Sequence, residues 1–254
     1  MTRTLLTLED AACHLSEVLG NGPRLLFLTG AGVSTESGIP DFRSPGGRWS
    51  RMAPIEYGAF LTDEMARQED WTRRFEMDAV FAAAEPNACH HAIAEACRAS
   101  PSHICVTQNV DGLHGRAGMP ANALIELHGT AAHAHCLSCG AVASLVAMEN
   151  ALTASGKSPR CTVCGGLMKA AVVSFGEPMP EGPMARAADA AERASHLVVL
   201  GTSLAVHPAA GLVPLARAAG AHITIASTRP TPCDGIADVL LRTSIAETFA
   251  AVGS

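Results

Sequence analysis

The segment Arg24-Leu-Leu-Phe-Leu-Thr-Gly-Ala-Gly32 decides the fold. Its short and nearly unbroken apolar run predicts a strand buried on both faces, as in a parallel sheet covered by helices on both sides. Gly30 and Gly32 follow the strand directly, where their backbone amides and a helix N-terminus would face a pyrophosphate. A tight turn between a strand and a helix explains the same two glycines equally well.

Runs of the same kind recur along the chain, and helical patterns separate most of them. Strands are predicted at 103–107, 123–127, 196–200, 222–226 and 238–241, and helices at 87–98, 181–194 and 208–219. This alternation predicts an α/β fold with a doubly wound, Rossmann-like parallel sheet. The usual dinucleotide fingerprint is incomplete, because Thr35 stands where a third glycine is required. An ordinary hydride-transferring enzyme is therefore disfavoured.

Two segments interrupt the alternation. Residues 45–85 carry both tryptophans and no strand pattern, which predicts a helical insertion, and residues 131–170 carry a cysteine module. We expect these two segments to form a small second domain. The large domain is then assembled from 1–44, 86–130 and 171–254, and a cleft between two such domains is a natural ligand site.

The cysteine module contains two couplets, Cys136-Leu-Ser-Cys139 and Cys161-Thr-Val-Cys164, separated by twenty-one residues. The spacing suits a tetrahedral zinc ion, because each couplet forms a tight turn that offers two sulfurs to one metal. A redox pair or a chance arrangement would explain one couplet, but two couplets favour zinc. Four thiolates leave no open ligand position, so this zinc is expected to be structural.

Composition bounds the class of protein. Of the 254 residues, 48% are apolar and 17% are charged, which is typical of a compact globular chain without a disordered tail. The net charge of −6 disfavours nucleic-acid binding but does not oppose a basic peptide. No apolar stretch is long enough to span a membrane, and the N-terminus does not read as a secretion signal. Five scattered cysteines form no disulfide framework, so a cytoplasmic location is expected.

Six stretches occur in the order in which sirtuins carry them. They are Gly30-Ala-Gly-Val-Ser-Thr-Glu-Ser-Gly-Ile-Pro-Asp-Phe-Arg43, Thr107-Gln-Asn-Val-Asp-Gly-Leu-His114, Leu127-His-Gly129, the cysteine module, Val173-Ser-Phe-Gly-Glu177 and Gly201-Thr-Ser-Leu204. From about residue 20 to its end, the chain resembles these NAD-dependent protein deacylases. Its first stretch and Arg229-Pro-Thr-Pro-Cys-Asp234 resemble most the class that includes the mitochondrial lipoamidase-type sirtuins.

The resemblance implies an NAD site. Nicotinamide would lie in a pocket formed by Ala31, Ile39, Asn109 and Asp111, under a mobile loop that carries Asp41 and Arg43. From the residues alone, Asp111 is also explained as a helix N-cap. The full set of implied cofactor-binding residues is Gly30, Ala31, Gly32, Glu36, Ile39, Asp41, Phe42, Arg43, Gln108, Asn109, Asp111, Gly201, Thr202, Ser203, Ser227 and Ile245.

The resemblance also implies the chemistry and the substrate. The catalytic candidates are His128 and Asn109, and His128 is expected to take a proton from a ribose hydroxyl. The acyl-lysine carbonyl oxygen would attack the nicotinamide ribose, which yields free lysine, nicotinamide and O-acyl-ADP-ribose. His114 is expected to support the active-site loop. An acyl-lysine peptide would add as a strand and meet Val173, Phe175, Gly176, Glu177 and Val206.

Departures from the family pattern leave alternatives open. Ser227 stands where sirtuins usually have an asparagine that contacts the adenosine ribose, and Lys169-Ala-Ala171 replaces a Lys/Arg-Pro pattern. Arg74 and Met77 stand where one class has the Tyr-x-x-Arg pair that binds succinyl or malonyl groups, so no preference for acidic acyl groups is expected. The alternative functions are protein ADP-ribosyl transfer, NAD hydrolysis, or a non-catalytic module that binds NAD and zinc.

Overall fold

The computed structural model describes residues 2–41 and 52–252 of the chain. Phe42 and Arg43, both predicted to bind NAD, lie outside the described residues. The strands are β1 Arg3–Leu5, β2 Leu25–Thr29, β3 Ile104–Thr107, β4 Leu124–Glu126, β5 Gly129–Cys136, β6 Val142–Ser144, β7 Met168–Val172, β8 His196–Leu200, β9 His222–Ala226 and β10 Val239–Leu241.

The α-helices are α1 Leu8–Asn21, α2 Tyr57–Thr62, α3 Glu64–Ala83, α4 Ala88–Ala99, α5 Leu113–Arg116, α6 Leu145–Ser155, α7 Glu181–Arg193, α8 Leu212–Ala218 and α9 Ile245–Val252. Within the described ranges, none of these helices combines the length and the apolarity needed to cross a membrane.

Seven strands form one sheet in the order β1-β10-β9-β8-β2-β3-β4. Every neighbouring pair is parallel. All carboxyl ends of these strands therefore meet at the same edge, which is where open α/β sheets bind their ligands. The predicted doubly wound α/β fold is confirmed.

Strand β2 shows why the apolar runs are nearly continuous. Leu25 and Phe27 join a core shared with α1, α4 and α9 on one face of the sheet. Leu26 and Leu28 join a second core, shared with α7 and α8 on the other face. Because side chains alternate across a strand, a strand covered on both sides must be apolar at every position.

Three local features differ from the sequence-based expectation. Strand β1 pairs with β10 but was not predicted, because its three residues are too short to show a pattern. The helix predicted at 208–219 begins as a 3₁₀ turn, Ala209–Gly211, before α8. After β2 the glycine segment forms two 3₁₀ turns, Ala31–Val33 and Thr35–Ser37, in place of the expected α-helix. The second turn ends at Gly38, whose φ of 85° breaks the helical path.

A separate unit consists of a three-stranded antiparallel sheet in the order β6-β5-β7, packed against α3 and α6. Its hydrophobic cluster includes Trp71, Leu145, Met148 and Met168, and is distinct from the two cores on the large sheet. Strands β5 and β7 run across the predicted domain boundaries near 130 and 170. The division into the two predicted domains stays a prediction, which this separate cluster supports.

Candidate dinucleotide site and four-cysteine cluster

A cavity of about 1000 Å³ lies at the carboxyl ends of β3, β2, β8, β9 and β10, and α3 and β7 close its other side. This volume is at the upper end of the range for small-molecule sites. Every predicted catalytic, cofactor-binding and substrate-binding residue among the described ones lines this single cavity. The fold therefore brings together residues that lie up to 215 positions apart, from Gly30 to Ile245.

Two glycine loops meet without side chains between them. The amide of Gly30 donates to Leu200 O at 3.0 Å, and that of Gly32 donates to Gly201 O at 2.8 Å. A Cβ on Gly32 would lie 2.8 Å from the Cα and O of Gly201. Gly201 itself has φ 61°, in the left-handed region. Glycine is therefore required here so that the two backbones can approach closely. The amides of Gly30 and Gly32, which were expected to face a pyrophosphate, instead donate to carbonyl groups of the neighbouring loop and strand.

Ser34 joins the two polar residues of the predicted nicotinamide pocket. Its hydroxyl, fully buried, donates to Asp111 Oδ2 at 2.8 Å and accepts from Asn109 Nδ2 at 3.2 Å. Asn109 Nδ2 also donates to Gly30 O at 3.1 Å. These bonds fix the orientation of both side chains. Sequence reasoning missed Ser34, although it lies inside a recognised motif, because no local pattern shows a contact across 77 positions.

Asp111 serves two functions at once. Its Oδ1 accepts the backbone N–H of Leu113, the first residue of α5, at 2.9 Å, from one position before the N-cap residue Gly112. Its Oδ2 accepts the Ser34 hydroxyl, and the residue lines the cavity. Burial raises the pKa of Asp111 above its ordinary value, while these hydrogen bonds oppose the rise. Asp111 is therefore a cavity residue that also supports the start of α5, while its interpretation as the N-cap is wrong, because Gly112 occupies that position.

His128 follows β4 and lines the cavity in a defined tautomer. Its Nδ1 lies 2.9 Å from the carbonyl oxygen of Gln108. A carbonyl only accepts, so Nδ1 carries the proton and the neutral ring keeps its lone pair on Nε2. A hydrogen bond of this kind orients the ring and makes Nε2 the basic atom.

Gln108 connects the two halves of the cleft. Its backbone carbonyl accepts from His128, and its side-chain amide donates to Thr202 Oγ1 at 2.9 Å. The same threonine oxygen accepts the backbone N–H of Leu204 at 3.2 Å. Leu204 is buried with φ 52°, an uncommon conformation for a residue with a Cβ. The loop after β8 is thereby held against the residue that positions His128.

The predicted substrate segment, residues 173–177, is held by backbone hydrogen bonds at its start and at its middle. The amide of Val173 donates to His128 O at 2.9 Å, and that of Tyr57 donates to Phe175 O at 2.8 Å. The carboxylate of Glu177 accepts the amide of Ser174 at 2.7 Å. It also forms an ion pair with Lys169 at 2.8 Å. The carboxylate is therefore used to hold the segment in shape.

Lys169 is the buried partner of this segment. Its side chain is 1% exposed, and it also donates to the carbonyl of Val172. Its ammonium lies 5.9 Å from the centre of the Tyr57 ring. Burial lowers the pKa of Lys169, and the Glu177 carboxylate opposes that shift. The sequence marked Lys169 only as part of an altered pattern, and nothing local indicated its partner.

Helix α3 forms one wall of the cavity and carries the two residues that stand in place of the Tyr-x-x-Arg pair. Arg74 and Met77 both line the cavity. Arg74 lies 3.4 Å from Asp70, so its charge has a compensating carboxylate. The expectation that acidic acyl groups are not preferred stays a prediction.

His114 and Ser227 also take definite places. His114 is 2% exposed, and its Nε2 lies 3.0 Å from Thr29 Oγ1 under the glycine loop. Burial lowers its pKa to about 3, so the ring is neutral in the fold. Ser227 lines the cavity beyond β9, and its hydroxyl donates to Arg229 O at 2.9 Å. That hydroxyl thus stabilises a local turn.

Four thiols converge in the small unit. The sulfurs of Cys136, Cys139, Cys161 and Cys164 all lie within 4.8 Å of one another. The Cys136–Cys164 and Cys139–Cys161 pairs are 3.5 and 3.7 Å apart. A tetrahedral zinc at about 2.3 Å from each sulfur places sulfur pairs about 3.8 Å apart, so the cluster fits this ion. Backbone amides of Ser138 and Val163 point at two of the sulfurs, each at 3.4 Å, which favours thiolates.

These features define a Rossmann-like protein with a dinucleotide-sized cleft and a zinc-type cysteine cluster. The model of the Sir2 family matches residues 30–208. The NAD-dependent protein deacetylase of Rhodopseudomonas palustris is 40% identical over 243 residues, which cover 96% of each chain. NAD-dependent protein deacetylase 1 of Bradyrhizobium diazoefficiens is 42% identical over 242 residues, 95% of each chain.

Solved structures agree with these relatives. A Sir2 protein with a p53 peptide and NAD+ superposes with a TM-score of 0.82 at 32% identity, covering 94% of this chain and 95% of that one. A Sir2 protein bound to a propionylated peptide gives 0.83 at 30% identity, with 94% and 96% covered. The chain therefore belongs to the Sir2 family, the sirtuins.

Proposed function

We propose that this chain is an NAD-dependent protein-lysine deacylase that releases nicotinamide and forms O-acyl-ADP-ribose. The observation that carries the proposal is the position of His128. Its oriented ring shares one cavity with the Asn109–Ser34–Asp111 network and with the segment 173–177. Relatives that match nearly the whole chain are named NAD-dependent protein deacetylases, which supports this function.

The residues present fit a dinucleotide. Asn109 and Asp111 offer donors and acceptors suited to a carboxamide, beside the buried apolar side chain of Ile39. The loops of Gly30–Gly32 and Gly201–Ser203 present close-packed backbone and hydroxyls for phosphate and ribose. When bound, NAD supplies an electrophilic ribose carbon to which the acyl oxygen is transferred.

In this proposal His128 is the general base. Its Nε2 accepts a proton from a ribose hydroxyl, and Nδ1 stays bonded to Gln108 O throughout. Asn109 and Asp111 orient the leaving amide, because Ser34 holds both side chains in place. The segment 173–177 binds the acyl-lysine peptide along one edge, since Glu56 already pairs with Phe175 along the other.

The cysteine cluster holds one structural zinc in this proposal. All four tetrahedral positions are taken by sulfur, so the ion orders the small unit and takes no part in the reaction. The lipoamidase-type subclass and a cytoplasmic location stay predictions. All nine cysteines lie in the described residues and none forms a disulfide, which is compatible with a reducing compartment.

The test is incubation with NAD and an acetyl-lysine peptide, followed by measurement of nicotinamide, free lysine peptide and O-acetyl-ADP-ribose. The three products should form in equal amounts. His128→Ala should lower the rate by about 10²–10⁴-fold, the usual effect of losing a general base. His91→Ala, an exposed histidine on α4, is the matched control and should leave the rate unchanged.

The alternatives give different results. Nicotinamide released without deacylated peptide indicates NAD hydrolysis, and ADP-ribose on a protein indicates ADP-ribosyl transfer. No nicotinamide at all, with NAD still bound, indicates a non-catalytic module. Full activity of His128→Ala would remove this histidine from the mechanism. A panel of acetyl, longer acyl, lipoyl and succinyl peptides then decides the acyl group and tests the subclass.

A further inference from the structure

Asn87 lies at the start of α4. It is the N-cap residue of that helix, and it is not among the residues that line the cavity. Its Oδ1 accepts the backbone N–H groups of Cys89 at 3.1 Å and of His90 at 3.4 Å. These two bonds satisfy donors that the first turn of a helix leaves without intrahelical partners. One side of the amide is therefore used to cap α4.

The other side of the amide reaches the glycine segment that follows β2. Nδ2 donates to Val33 O at 2.8 Å and to Ser37 Oγ at 3.1 Å, across 54 and 50 positions. Backbone N–H groups only donate and a carbonyl oxygen only accepts, so these contacts fix which amide atom is the nitrogen. Asn87 thus joins α4 to both 3₁₀ turns, Ala31–Val33 and Thr35–Ser37.

The residue next to Val33 organises the proposed nicotinamide pocket. Ser34 directly follows Val33 in the chain, and its hydroxyl bonds the polar pocket residues described above, Asn109 and Asp111. Ile39 donates its backbone N–H to Ser34 O at 3.2 Å, so the position of this buried side chain depends on the same turn. A displacement of Val33 would therefore be passed to the residues that face nicotinamide.

The second 3₁₀ turn depends on contacts from outside. Such turns have poorer hydrogen-bond geometry than an α-helix, and here Thr35 and Glu36 are exposed and line the cavity. Among the described residues, the bond from Asn87 to Ser37 is the only hydrogen bond that ties 35–38 to a part of the chain outside the glycine segment. This part of the cavity wall is therefore held from α4.

Helix capping alone does not explain an asparagine at this position. Aspartate caps helices as well as asparagine does, and its charge would add a favourable interaction with the helix dipole. Only the amide has donors left for Val33 and Ser37. We propose that Asn87 is a positioning residue for the reaction, because it holds the glycine segment in the geometry that places Ser34 and Ile39 around nicotinamide. The inference rests on the proposed function.

The variant that separates the two uses of the side chain is Asn87→Asp. The new carboxylate still accepts N–H groups of α4, but it cannot donate to Val33 O and would repel it. With the full chain, NAD and an acetyl-lysine peptide, kcat should fall about tenfold, because small displacements of groups around a reacting centre have effects of this size or larger. Inhibition by the product nicotinamide should weaken by about tenfold. KM for the peptide should change less than about twofold, since His128 and Lys169 hold the segment 173–177.

Further variants separate positioning from stability. Asn87→Ala removes both the cap and the donors, so the urea midpoint and kcat should both fall, whereas Asn87→Asp should keep most of that midpoint. The matched control is Thr7→Ala, which removes the N-cap of α1 at a residue that does not line the cavity. It should lower the midpoint and leave kcat unchanged. Ser37→Ala removes one of the two acceptors, so it should lower kcat about threefold and add nothing to Asn87→Asp.

Three outcomes overturn the inference. They are an unchanged kcat in Asn87→Asp, a loss of kcat in Thr7→Ala as large as that in Asn87→Asp, and a rise in KM for the peptide in place of the fall in kcat. If the unaltered protein released no nicotinamide from NAD, the proposed function would be refuted and this inference with it. The first three results are observed only with an active enzyme, so the two failures are distinguishable.

Discussion

Replacing Lys169 with methionine should destabilise the protein far more than loss of an ordinary ion pair. The lysine side chain is 1% exposed and that of Glu177 15% exposed, with 2.8 Å between their charged atoms. Methionine fills a similar volume but removes the cation, so the Glu177 carboxylate stays in a mostly buried position without its partner. Breaking a buried pair from one side costs about 3–5 kcal/mol.

The size of the effect can be bounded from the structure. Glu177 keeps its bond from the Ser174 amide and some contact with water, so we expect the lower limit, about 3 kcal/mol. For a chain of this size that corresponds to a fall in Tm of about 6–12 °C. The double variant Lys169→Met/Glu177→Gln should recover much of the loss, because no unpaired charge then remains.

Urea unfolding of the unaltered protein, both single variants and the double variant measures the coupling. The matched control is Arg193→Met, which breaks the Arg193–Asp189 pair at side-chain exposures of 73% and 56%. Loss of such a surface pair should cost less than about 1 kcal/mol. Because the buried pair shapes the segment 173–177, Lys169→Met should also raise KM for the peptide while the Kd of NAD stays unchanged.

Additive effects of the two single substitutions, with no recovery in the double variant, would refute the reasoning. So would a destabilisation by Lys169→Met no larger than that by Arg193→Met. Either result would mean that the ammonium is hydrated, or that Glu177 is neutral, in the folded protein.

Three other predictions follow from the site and its surroundings. Metal analysis should find one zinc per chain, and Cys161→Ala should lose it and unfold the small unit, because a structural site with three ligands rarely survives; a zinc-free, fully folded protein would contradict this. Burial lowers the pKa of His90 to about 4 and that of His114 to about 3, so both rings stay neutral in the folded protein between about pH 6.5 and pH 4. In the unfolded chain the same rings take up protons below about pH 6.5, so the free energy of unfolding should fall by about 1.4 kcal/mol per pH unit for each of them as the pH drops. A His114→Asn variant with an unchanged pH slope in urea unfolding would argue against this. Gly32→Ala should weaken NAD binding and destabilise the fold by at least about 1 kcal/mol, because its Cβ would lie 2.8 Å from the backbone of Gly201; titration and unfolding at wild-type values would show that the loops yield without cost.

Patterns among neighbouring residues were sufficient to predict the large parallel sheet and the four-cysteine cluster. Each central strand is covered on both faces, so burial leaves nearly unbroken apolar runs, as in 25–28 and 197–200. The two couplets place four sulfurs by tight turns whose geometry depends only on neighbouring residues. Strand β1 was missed because three residues carry too little pattern, and the 3₁₀ turns after β2 because their hydrogen bonds depend on contacts with Gly201.

The partnerships inside the cleft were decided by the tertiary structure alone. Ser34 bonds Asp111 across 77 positions, and His128 takes its tautomer from a carbonyl 20 positions earlier. Lys169 lies in strand β7 and Glu177 lies eight positions later, beyond the end of that strand, so no helical or strand spacing predicts their ion pair. Strand periodicity and turn spacing are local properties, written in adjacent residues. A hydrogen bond between loops exists only where the packed sheet brings their strand ends to one edge, and that arrangement is set by the burial of the whole core.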